Sequence, residues 1–252
     1  MSNQLDVLCL NTSSSFVRFN QPLLNLLSGQ VSIADWEYVQ SQDEPCSMDG
    51  ALVLLHDYLK CHRRPIHLLG HSNGGLLGLL YAQKHPERVK SLTLLSVGVQ
   101  PAVDWQAYYY TQRQLLPCSR HLILTQMVYN LFGNQSKYTT EYLVKVLEQD
   151  LNYSPSPHSL WQRRTISPSK VQVPLMVCGS QDDFVIPPNT LRGWWNWMKE
   201  SDRLWECSQG HHFFHYFYPQ IVSQEILKFW QSLEPNLLPQ VSTEAIVMNS
   251  KN

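Results

Sequence analysis

The chain reads as an α/β protein, a mostly parallel sheet flanked by helices with a helical unit inserted between two strands. Three observations carry that reading. From Leu5 onward, apolar runs of strand length alternate with stretches of helical period, the order that builds a parallel sheet. Between Val99 and Gln172 the alternation stops and only helical periods occur; it resumes at Val173. Finally, Gly70-His71-Ser72-Asn73-Gly74-Gly75 joins the apolar run Ile66-His67-Leu68-Leu69 to the helix-forming stretch Leu76 to Ala82, which marks a sharp strand-to-helix turn.

Leu5 to Leu10 is the first predicted strand, and it ends in the polar loop Asn11-Thr12-Ser13-Ser14-Ser15. A helix follows through Pro22 to Leu27, then a strand at Val31 to Trp36 and a polar loop from Glu37 to Pro45. Ser47 can cap a helix that carries Met48, Ala51, Leu52, Leu55 and Leu59 at helical spacing. After the turn at Ser72 and its helix, His85-Pro86-Glu87-Arg88-Val89 feeds a strand at Leu92 to Ser96. Helical periods then run over Trp105 to Leu116, Leu122 to Phe132 and Thr140 to Leu151, followed by a Pro/Ser-rich connection. Val173 to Cys178 and Arg203 to Cys207 are the remaining strands, and Pro219 to Leu233 is the last helix. The division expected is a core of residues 1–98 and 173–233, a helical cap of 99–172 over the strand ends, and a loose tail of 234–252.

With 252 residues the chain can bury a large core, and a net charge of -1 gives no electrostatic reason to expect nucleic acid or an anionic membrane as partner. The partner expected is a small molecule. Met1 to Gln4 carries neither a basic region nor a long apolar run, so neither a signal peptide nor a membrane span is indicated. Six cysteines are scattered without a C-x-x-C pair, which points to reduced thiols in a cytoplasmic setting and to no zinc site.

Ser72 sits at the apex of the turn, where the following helix aims its free N–H groups and partial positive charge at any oxyanion that forms. Such a serine needs a base, and the base an orienting acid. Carboxylates stand at the end of a strand in Gly179-Ser180-Gln181-Asp182-Asp183, and histidines follow the last strand in Gly210-His211-His212. Asp104, after the preceding strand, is a second candidate for the acid.

Together these pieces resemble the α/β-hydrolase superfamily, in its cap-bearing form, from Leu5 to Trp230. The resemblance rests on Gly70 to Gly75, on Pro86-Glu87-Arg88-Val89, on Gly179 with Asp182 and Pro187, and on the histidine ahead of Pro219, in the order Ser, Asp, His. It implies no cofactor, Ser72 as nucleophile, and Asp182 as the acid, because relatives place that acid third after the strand-end glycine. For the base, the family's Gly-His motif points to His211, while the distance to Pro219 selects His212. The oxyanion would be held by the backbone N–H of Asn73 and by a second one near Ser13. Here the chain departs from its relatives, which carry His-Gly where this one has Asn11-Thr12. The antiparallel strands that relatives place ahead of the first parallel strand are not expected before Leu5. Trp105, Tyr109 and Met127 in the cap would face an apolar substrate group. The activity implied is hydrolysis of an ester or thioester. The alternatives are carbon–carbon bond hydrolysis or lysis by the same triad, and a non-catalytic ligand-binding homologue.

Overall fold

Why the middle strands run unbroken in apolar residues is explained by the sheet they build. In a computed structural model that describes residues 5–39, 48–158 and 165–234, six strands form one sheet in the order β2-β1-β3-β4-β5-β6, and every pairing is parallel. The elements are β1 (Val7–Asn11), α1 (Val17–Leu27), β2 (Ile33–Glu37), α2 (Met48–Leu59), β3 (Ile66–His71), α3 (Asn73–Lys84), β4 (Val89–Leu95), α4 (Trp105–Leu115), α5 (Arg120–Phe132), α6 (Lys137–Tyr153), β5 (Leu175–Ser180), α7 (Pro188–Arg192), β6 (Arg203–Cys207), α8 (Phe214–Phe217) and α9 (Pro219–Ser232). Every residue of β1, β3 and β5 is buried, as a parallel sheet covered on both faces requires.

Neighbouring residues of one strand serve opposite faces. Leu8 and Leu10 of β1 join Leu55 of α2 and Leu77 of α3 in one buried cluster, whereas Val7 and Cys9 join Leu23 of α1 and Ile226 and Phe229 of α9 in the other. Each fully buried leucine of this kind contributes roughly 2 kcal/mol.

α4, α5 and α6 fill the interval between β4 and β5 where no strand is predicted. Asp104 caps α4 through the Ala107 N–H at 2.9 Å. α5 and α6 begin two to three residues before their apolar periods do, because Ser119 and Ser136 accept the N–H groups of Leu122 and Thr139. Leu124, Met127 and Leu131 of α5 and Leu147 of α6 belong to the same buried cluster as the α2–α3 face of the sheet.

Met1 to Gln4, the Ser47 cap, Cys46, the stretch 159–164 and the expected tail beyond Glu234 lie outside the described residues. β1 is flanked by β2 and β3, so successive connections leave it in opposite directions, and the crevice outside the carboxyl ends of β1 and β3 is where such sheets bind ligands.

Candidate active site

Ser72 follows the end of β3 directly and adopts φ 49° and ψ -120°, a left-handed backbone that a non-glycine residue takes only at a cost. The turn is held by the Ser72 N–H bonded to the Leu95 carbonyl at 2.9 Å and by the first helical bond, from Leu76 N–H to the Ser72 carbonyl, at 2.9 Å. It also depends on two glycines. A Cβ on Gly70 would stand 2.5 Å from the Gly74 carbonyl carbon, and one on Gly74 would overlap the Leu10 carbonyl oxygen, so strand, turn and β1 close up only without side chains there. Asn73 opens α3, and its side-chain Nδ2 donates to Asp104 at 2.7 Å. Asp104, the second candidate for the acid, is therefore occupied with Asn73 and the α4 cap. Burial pushes its carboxyl up, against the pull of His158.

The strand-end carboxylates divide differently from the sequence expectation. His212 Nδ1 donates to Asp183 Oδ2 at 3.0 Å, and both side chains are buried. Asp183 also accepts the N–H groups of Val185 and Ile186 at 2.8 and 3.0 Å. Burial alone would raise its carboxyl, but the facing His212 and these donors hold it below the ordinary carboxylate range. Asp182, expected to orient the base, bonds instead to Ser180 Oγ and to the N–H groups of His211 and Gly210, with about a third of its side chain exposed. In the turn after β5 Asp183 is buried, while Asp182 stays about a third exposed. Between the histidines, His212 is the buried one, as the spacing to Pro219 selects, and His211 packs beside Asp182 and Gly133 at the rim.

The His212 backbone carbonyl is fixed by Ser96 Oγ and by His71 Nε2, each donating at 2.9 Å. Its Nδ1 carries the proton given to Asp183, so Nε2 holds the lone pair, and it is buried with no hydrogen-bond partner, Ser72 included. The His71 ring lies 4.8 Å from that of His212 and 4.6 Å from that of His215, centroid to centroid. Burial and the neighbouring imidazoles keep His71 well below its ordinary value and take His215 down to about 3, so both stay neutral. His215 Nε2 donates to Asn20 Oδ1, Asn20 Nδ2 to Asn11 Oδ1, and Asn11 Nδ2 to Asp35 Oδ1, at 2.9, 2.6 and 3.1 Å. The departure at Asn11-Thr12 thus has a structural content: Asn11 is one link of a polar chain that runs from the buried histidines to the exposed Asp35 of β2. Among the described residues no group of three His, Cys, Asp or Glu side chains is placed to hold a metal ion.

A cavity of about 20 Å³, room for a single water, lies between the two strand ends. Ser72, Asn73, Ser13, Thr12, His71 and Trp105 line it, so the predicted nucleophile and both predicted oxyanion residues meet at one place. Of the three predicted substrate contacts only Trp105 reaches it. Met127 is fully buried in the core, and Tyr109 is buried against Trp105 with ring centroids 6.2 Å apart; helical period reports which face is apolar, not which neighbour covers it. Asp150 also lines the cavity and was not singled out by the sequence, although it stands in register with Leu143, Val146 and Leu147 on the buried stripe of α6, where a carboxylate is conspicuous.

A family model described as the alpha/beta hydrolase fold matches residues 61–120. "Uncharacterized protein alr2406" of Nostoc sp. (strain PCC 7120) is 47% identical over 231 residues, 92% of each chain. Among solved structures, a putative lipase from Acinetobacter baumannii AYE superposes with a TM-score of 0.70 at 18% identity, covering 92% of this chain and 85% of that one. The meta-cleavage product hydrolase of Pseudomonas fluorescens IP01 gives 0.69 at 13% identity over 92% of each. At such identities the likeness to both is one of fold. Sheet order, the turn at Ser72 and the family match agree, and the chain belongs to the α/β-hydrolase family.

Proposed function

We propose that the chain is a serine hydrolase that cleaves an ester or thioester of a small to medium apolar substrate through an acyl-enzyme. In this reading Ser72 attacks the carbonyl carbon, and His212 Nε2 takes the Ser72 proton and later gives it to the leaving group. Asp183 holds the imidazole in the required tautomer and steadies its positive charge. The oxyanion forms against the Asn73 N–H and the loop at Ser13; each such donor is worth about 3 kcal/mol of barrier lowering. Residues 99–172 act as a cap, with Leu10, Phe16 and Trp105 as apolar walls of the site.

The observation that carries the reading is the state of His212: a buried imidazole with its proton committed to Asp183 and its other nitrogen unpartnered, next in space to the ring of His71, which immediately precedes the strained Ser72. His215 and His158 also bury one unpartnered ring nitrogen, so what sets His212 apart is the carboxylate hydrogen-bonded to its other nitrogen. Cys9, Cys61, Cys118, Cys178 and Cys207 are all free, which supports a reducing, cytoplasmic setting. Among the described residues no helix is long and apolar enough to cross a membrane.

The test is turnover of p-nitrophenyl esters, acetate through long acyl chains, by the native chain and by Ser72→Ala. Turnover with a chain-length optimum, lost in the variant, is the expected result. Equal turnover by the variant, or no turnover together with no labelling of Ser72 by a fluorophosphonate, sinks the proposal.

A further inference from the structure

Among the described residues Asp150 is the one carboxylate on the cavity, and no step of acyl transfer uses it. It is 2% exposed, and four donors converge on its two oxygens. Ser13 Oγ and Ser154 Oγ reach Oδ1, the latter at 2.7 Å, while Trp105 Nε1 and Gln106 Nε2 reach Oδ2, each at 2.9 Å. A residue needed only to fill the buried stripe of α6 would be apolar, since withdrawing a carboxylate from water is costly even when it is fully bonded. What the carboxylate adds is a tie between three parts of the chain: α6, the start of α4, and the loop after β1.

That loop needs a tie. It lines the cavity with Ser72 through Thr12 and Ser13 and is held from both sides. Asn11 on one side is held by Asn20 and Asp35. Ser13 on the other is held by Asp150, with Ser15 Oγ at 3.1 Å. Resting on the serine-hydrolase reading, we propose that Asp150 is a positioning residue: through Ser13 Oγ it fixes the loop after β1 against Ser72 and so sets the oxyanion side of the site.

The test compares the rate at which a fluorophosphonate labels Ser72 in the native chain, Ser13→Ala, Asp150→Ala, the double variant and Asp150→Asn, with the melting temperature of each. kcat and KM for the best p-nitrophenyl ester are measured alongside. Ser13→Ala and Asp150→Ala should each slow labelling about tenfold or more, with kcat falling and KM holding, and the double variant should be no slower than the slower single one. Asp150→Asn should recover to within about threefold, because an amide can accept from Trp105 and Gln106 on its oxygen and donate to the two serine hydroxyls on its nitrogen. Native-rate labelling of Asp150→Ala, or a double variant slowed by the product of the two single effects, overturns the proposal. Should Asp150→Ala fail to fold, native-rate labelling of Ser13→Ala does so. A native chain that is not labelled at all removes the serine-hydrolase reading and this one with it, which distinguishes the two failures.

Discussion

Two acid–histidine pairs stand one residue apart in this protein. Asp182 with His211 and Asp183 with His212 have the same sequence separation, the same chemistry and the same supporting loops. The first pair is about one-third exposed and loosely met, with 3.5 Å between His211 Nδ1 and Asp182; the second is buried at 3.0 Å. Each carboxylate takes two backbone N–H groups, Asp182 from Gly210 and His211 and Asp183 from Val185 and Ile186, but the inner histidine is in addition gripped at its carbonyl by Ser96 and His71. Identical residue types thus become a water-screened contact at the rim and a fixed, oriented dipole inside. Burial, not spacing, separates them.

Exchanging the bases should break the comparison most sharply: His212→Gln lowers kcat/KM for a p-nitrophenyl ester by about 10³-fold or more, and His211→Gln by less than about threefold. Among the acids, Asp183→Asn is expected to cost on the order of 10² to 10⁴ in kcat, and Asp182→Asn to stay within about threefold. Smaller differences belong to stability. Denaturant unfolding should show Asp183→Asn losing about 2 kcal/mol and Asp182→Asn about 0.5 kcal/mol, the values for a buried charged acceptor and an exposed pair.

The smallest effect is one of sign with pH. Asp183 is held below the ordinary carboxylate range, so its contribution is fully present above the unfolded aspartate value, about 4, and the gap between native and Asp183→Asn closes as pH falls through its depressed value. Burial shifts Asp150 the other way, so the native chain should lose stability relative to Asp150→Asn as pH rises from about 4 through its raised value. Melting curves between pH 3 and 7 would check both, and parallel curves for the two variants would contradict the assignment.

Most strands and helices were legible because each rests on neighbours in sequence, and so was the turn at Ser72, whose glycines, preceding strand and following helix all lie within a dozen residues. The choice between Asp182 and Asp183 was not, since it depends on which way a turn faces after β5. Nor was the partner of each apolar face: Met127 and Tyr109 lie on buried stripes, but it is the packing of α5 and α4 that turns them into the core and leaves Trp105 on the cavity. Asp150 meets Ser13 across more than half of the chain, a contact that no local pattern encodes. Its place on an apolar stripe was the one signal available.

The single-water cavity beside Ser72 has a kinetic meaning as well as a geometric one. An ester larger than this space needs the walls to part, and where the parted form is the minor one the affinity measured is the intrinsic one reduced by its fraction. If that fraction is about one per cent, binding is weakened about a hundredfold before any contact with substrate is counted. Substitutions that loosen the packing of α4 to α6 far from Ser72 would then tighten KM while leaving kcat alone, so that the weakest-packed variants would be the better scavengers of dilute substrate.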